Sequence, residues 1–118
     1  MLIDTHCHLD FDHFDPDRPQ VIKRAQDAGV EYIINVGADL AGSLKSVTLA
    51  NDYSCIFAAV GIHPHYAQHA SDSQIKQIEE FSVIKKVVAF GEVGLDYYDR
   101  QNPNGQVAIA VQKSNKNY

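Results

Sequence analysis

Four of the six histidines fall in two short pairs, His6-Cys7-His8 and His63-Pro64-His65. Side chains two apart in an extended segment point the same way, so His6 and His8 would present two imidazoles to one point. Neutral imidazole nitrogens suit Zn²⁺, Fe and Mn²⁺, and are less natural for Mg²⁺, which prefers oxygen. Glu92 follows the apolar run Val87 to Phe90 and is flanked by Gly91 and Gly94. A carboxylate there is costly to bury unless it is paired or binds a cation. Its two oxygens can bridge two metals roughly 3.5–4 Å apart, the separation used in two-metal hydrolysis. Plainer readings stay open: two surface histidines at a strand end, and a salt bridge from Glu92 to Lys85, Lys86 or Arg100. In the second pair, one imidazole could donate to a substrate phosphate and the other be a loop residue. Asp96 could support the site or cap a helix, and Tyr97 and Tyr98 could pack or touch substrate. His13 and His69 are assigned to solvent. Asp10, Asp12, Asp15 and Asp17 lack the spacing and glycine of a calcium loop and read as a solvated face.

These groups need elements to position them. Leu2-Ile3-Asp4 fits a first strand, and Val30 to Val36 and Cys55 to Val60 have the apolar composition of buried strands, rich in β-branched residues in the former. Val87 to Phe90 reads as the fourth. Between them, Val21, Ile22, Ala25 and Ala28 recur at helical spacing up to Gly29, and a second helix runs from about Leu40 to Asn51 with Leu44, Val47 and Ala50 or Asn51 inward. Ser71-Asp72-Ser73 offers N-caps for a third, carrying Ile75, Ile78, Phe81 and Ile84. Strands alternating with helices argue for a parallel sheet. The order βαβαβαβ then puts His6, His8, His63, His65 and Glu92 beyond the carboxyl ends of strands, where active groups gather in such sheets. A barrel of eight units needs about 250 residues, so 118 residues supply about half. A small open doubly wound sheet is the alternative, but no glycine-rich phosphate loop follows the first strand.

At 45 % hydrophobic and 21 % charged residues, the chain reads as globular rather than disordered. A net charge of −5 argues against a protein that coats nucleic acid through Lys and Arg. It leaves room for an enzyme that engages a strand through bound cations. Cys7 and Cys55 form neither a CxxC pair nor a disulfide framework, which suggests two buried thiols in a reducing compartment. No signal peptide or membrane-length apolar run is visible, so a cytoplasmic location without membrane contact is expected.

Ile3-Asp4-Thr5-His6-Cys7-His8-Leu9-Asp10, Gly61-Ile62-His63-Pro64-His65 and Gly91-Glu92-Val93-Gly94-Leu95-Asp96-Tyr97-Tyr98 together resemble the opening motifs of the TatD family of metal-dependent hydrolases, in order and spacing. The resemblance covers about residues 1–98. It implies the first half of an amidohydrolase-type (β/α)₈ TIM barrel and hydrolysis of phosphodiester bonds in DNA, in the intact family as a 3'-5' exonuclease. It also implies a centre of one or two divalent ions (Mg²⁺, Zn²⁺ or Mn²⁺). By position it makes His6 and His8 metal ligands, Glu92 a bridging and catalytic carboxylate, and His63 a substrate-pocket residue. The family adds two histidines and an aspartate from later strands, and no histidine follows His69 here. Residues 99–118 depart from the family pattern and read as a divergent tail from truncation or frameshift, leaving an incomplete remnant with little activity alone. Two other functions are compatible: an amidohydrolase-type enzyme acting on an amide or ester, and a non-catalytic half-barrel that associates with another chain through open sheet edges.

Overall fold

A computed structural model of the chain describes residues 1–96; Tyr97, Tyr98, Arg100 and the 99–118 tail lie outside the described residues. Four strands, β1 (Leu2–Cys7), β2 (Val30–Val36), β3 (Ile56–Val60) and β4 (Val87–Phe90), alternate with three helices, α1 (Arg18–Asp27), α2 (Leu40–Asp52) and α3 (Asp72–Phe81). The strands pair in sequence order and all in parallel. This is the α/β half-barrel order expected from the alternation of elements. No helix among the described residues is long and apolar enough to cross a membrane.

Local chemistry sets the boundaries. Asp39 caps α2 by accepting the Gly42 N–H at 2.7 Å. Ser71 and Gln74 form a reciprocal capping box at the start of α3, which satisfies two of the donors a helix start leaves unpaired. Gly29 follows α1 at φ +94°, a conformation costly for residues with a Cβ. Alternation along the strands sends Ile33, Asn35, Ile56, Ala58 and Val60 to one face, where they are buried. The core there gathers Leu9, Ile22, Val47, Leu49, Cys55, Ile62 and Ile78 around them. Tyr32 and Phe57 lie on the opposite face, with their rings 5.9 Å apart.

Four expectations are corrected. Leu44 is 54 % exposed, and the buried face of α2 is Ser43, Ser46, Val47, Leu49 and Ala50. The small residues win because α2 presses close to the strand ends: the Ser43 hydroxyl bonds both the N–H and C=O of Gly61. Ala28 is exposed at the end of α1, and Cys55 stands one residue before β3 although it is buried. Asp10 is no part of a solvated face. It is only 5 % exposed, and its carboxyl accepts the Asn35 amide at 2.8 Å.

Candidate metal centre

Asn35 builds the foundation of the site. It is fully buried one residue before the end of β2, where a polar side chain is tolerated only with its partners supplied. Its amide nitrogen reaches Asp10 at 2.8 Å and the Ser46 hydroxyl at 2.7 Å. Its oxygen accepts the Leu9 N–H at 2.5 Å and faces the Cys7 thiol at 3.6 Å. The segment after β1 is thereby pinned on both sides of His8. Burial pushes the Cys7 thiol up to about 11, helped by the Asp4 and Asp10 charges and opposed by its backbone bond at Leu9.

His8 is oriented twice over. Its Nδ1 lies 2.8 Å from the Val36 carbonyl, and its ring stacks on Phe11 at 4.8 Å with an interplanar angle of 11°. A carbonyl can only accept, so Nδ1 carries the hydrogen and Nε2 keeps its lone pair. That is the arrangement of a metal-ligating histidine, whose second nitrogen donates to a fixed acceptor. His6 is more exposed and sits beside it, ring centroids 5.1 Å apart. Its backbone N–H donates to the exposed Asp4 carboxylate at 3.0 Å.

Glu92 comes from the other end of the sheet. Gly91 N–H bonds Val60 C=O at 2.9 Å and Glu92 N–H bonds Gly37 C=O at 3.2 Å, holding the segment after β4 across the ends of β3 and β2. Gly61 makes this approach possible, because a Cβ there would lie 2.7 Å from the carbonyl carbon of Gly91. Each carboxylate oxygen then faces one imidazole: Oε1 lies 3.3 Å from His6 Nε2 and Oε2 lies 3.8 Å from His8 Nε2. Lys86 does not compete for it, since its ammonium donates to the carbonyls of Ala50, Tyr53 and Ser54. Two neutral nitrogens and a carboxylate, each offering a ligand atom within 4.8 Å of the others, are a donor set that fits a divalent cation. His6, His8 and Glu92, singled out from the sequence, are thus brought together.

His63 and His65 form a second convergence. His63 N–H bonds Ala38 C=O at 2.7 Å, and the two imidazoles stand 3.8 and 3.2 Å from one oxygen of Asp96. His65 thus stands beside Asp96 with His63, and the residues that follow Asp96 lie outside the described residues. His6, Glu92, His63 and Asp96 all line one cavity of about 490 Å³ whose floor includes Ile34, Val36, Ala59 and Ala89. His13 and His69 stand exposed at the surface, as expected. The residues that sequence reasoning missed are Asn35 and Asp10. The available signal was an amide among the apolar residues Ile33, Ile34 and Val36 at the end of a strand, which has to find partners.

A family model of TatD-related DNase matches residues 3–114 of this chain. The chain belongs to that family. It is 40 % identical over 103 residues to the uncharacterized metal-dependent hydrolase YabD of Bacillus subtilis, covering 87 % of this chain and 40 % of that protein. It is 37 % identical over 110 residues to the 3'-5' ssDNA/RNA exonuclease TatD of Yersinia pseudotuberculosis, covering 92 % of this chain and 42 % of the relative. The crystal structure of YjjV, a TatD homologue from Escherichia coli, matches with a TM-score of 0.76 at 34 % identity, over 96 % of this chain and 45 % of that one. The chain therefore spans about two fifths of the length of the curated relatives it matches, and its four strands correspond to half of a TIM barrel.

Proposed function

We propose that this chain carries one side of the metal centre of a hydrolase that cleaves phosphodiester bonds in nucleic acid. The observation that carries it is the convergence of His6, His8 and Glu92, with His8 held by Val36 in the tautomer that frees Nε2. A relative named as an ssDNA/RNA exonuclease supports the substrate class. In this reading His6, His8 and Glu92 would hold the cation, which supplies Lewis acidity toward a phosphoryl group. Glu92, with one oxygen toward each imidazole, fixes the spacing of the donors. His63 offers a hydrogen-bond donor to a substrate phosphate oxygen across the same cavity. Among the described residues three such ligands converge here, so cation binding by them is expected to be weak and turnover slight without further ligands.

The test is calorimetric titration of the chain with Mn²⁺ and Zn²⁺, beside release of nucleotides from a single-stranded oligonucleotide by a protein in which the barrel is complete. Cation binding should vanish in His6→Ala and Glu92→Gln, and nucleotide release with it. Binding that survives both substitutions would remove the assigned ligands. Turnover of amide or ester substrates alone would transfer the site to amidohydrolase chemistry.

A second reading concerns association. Strands β1 and β4 end the described sheet and carry exposed Leu2, Ile3, Val88 and Phe90. Unpaired parallel edges with apolar residues are templates for another set of strands, which favours contact with further barrel strands or with another half-barrel.

A further inference from the structure

His63 and His65 differ from the metal-ligating pair in where their protons must sit. His63 Nδ1 accepts the backbone N–H of His65 at 3.1 Å, so the ring hydrogen of neutral His63 is on Nε2. That nitrogen offers a hydrogen and not a lone pair, the reverse of His8. His65 Nε2 stands 3.2 Å from an Asp96 oxygen, a contact that a hydrogen on that nitrogen makes favourable. The composition His63, His65 and Asp96 matches a cation site, but a cation taking His63 Nε2 would first have to break the bond from the His65 backbone. An anion requires no such change, because the Nε2 atoms of both imidazoles already stand within 4 Å of one anionic oxygen, at 3.8 and 3.2 Å. Asp96 is about a third exposed, so its carboxylate can return to water when something replaces it.

We propose that His63 and His65 form an anion seat which Asp96 fills in the free chain, and that a phosphoryl oxygen takes the seat by displacing that carboxylate. This rests on the reading of the cavity as a phosphodiester site. It adds a positioning and threshold role for Asp96: the two imidazoles are kept aimed while the seat is empty of substrate, and weak anions are turned away. A carboxylate and a phosphate cannot share the same two donors, so the two states exclude each other.

The experiment is a titration of the 118-residue chain, in chelator, with inorganic phosphate, followed by the imidazole ¹⁵N and ring-proton resonances of His63 and His65. Wild-type chain is expected to bind weakly, with both rings responding and the His63 spectrum showing the Nε2–H tautomer. Asp96→Asn, which keeps the size and removes the charge, should bind phosphate about five-fold more tightly, the scale of one partly exposed ion pair. Asp96→Ala should do the same, and His63→Ala should lose the binding. An Asp96→Asn or Asp96→Ala chain that binds phosphate no better, or less well, overturns the displacement while leaving His63 as a phosphate donor. A His63→Ala chain that binds as wild type overturns the underlying phosphate reading as well. Zn²⁺ shifting both rings in wild type but not in Asp96→Asn would make the group a cation site and sink the proposal.

Discussion

Asn35→Ala tests the foundation of the centre. The substitution removes the donor to Asp10 and the acceptor for Leu9, two groups whose residues are each only 5 % exposed. The Ser46 hydroxyl keeps its bond to Gly42 C=O, so its loss is small. A buried polar group left without a partner costs about 1–3 kcal/mol. Two such groups, with the void left by the amide, amount to about 3–5 kcal/mol. A chain of this size has a total stability on the order of 6–18 kcal/mol, so the loss is a large share. With a urea slope of about 1.5 kcal/mol/M, the unfolding midpoint followed by far-UV circular dichroism should fall by about 2 M or more. Thr48→Ala is the control, since it deletes only an exposed hydroxyl bond to Leu44 and should cost under about 0.5 kcal/mol. Asn35→Asp keeps the acceptor for Leu9 but sets a carboxyl against Asp10, so it should not rescue. A cost below about 1 kcal/mol for Asn35→Ala would refute the reasoning, and the network would then be incidental to the segment that holds His8.

The hydrogen bond from Lys45 holds the Asp12 carboxyl below its ordinary value of 3.8. A group depressed on folding stabilises above its unfolded value, and the gain disappears as pH falls through the folded value; Asp12→Asn should therefore lower the urea midpoint slightly near neutral pH and match wild type well below pH 3.8. An equal deficit at both pH values would show that the pair does not act through ionisation. For the open β4 edge, Val88→Lys and Phe90→Lys should reduce concentration-dependent association in size-exclusion chromatography. A wild-type chain that elutes as a monomer at every concentration would show that these edges do not recruit a second copy.

Much of the architecture was legible in the chain because its signals are local. Apolar runs of strand length, helical spacing between them and Ser71 before α3 depend on residues near in sequence. The structure returns the strands and helices in the expected order, although β1 runs on to Cys7 and so contains His6, and α3 ends at Phe81 short of Ile84. His6, His8 and Glu92 could be singled out because a parallel sheet sends strand ends to one edge, and the motifs around them mark the family. Leu44 went wrong because propensity and spacing do not reveal how closely a helix will approach its sheet; two serines and a glycine backbone decided that. Asp10 went wrong because its acceptor role depends on Asn35, 25 residues away.

Sequence alone therefore determined the order of the elements, the family and the identity of the residues that could bind a cation. Tertiary structure decided which nitrogen each histidine offers. Val36 C=O turns the His8 lone pair toward Glu92, and the His65 N–H turns a His63 hydrogen toward Asp96. Both rings are the same chemical group, and only the backbone atom each one meets separates a ring that presents a lone pair at Nε2 from one that presents a hydrogen there.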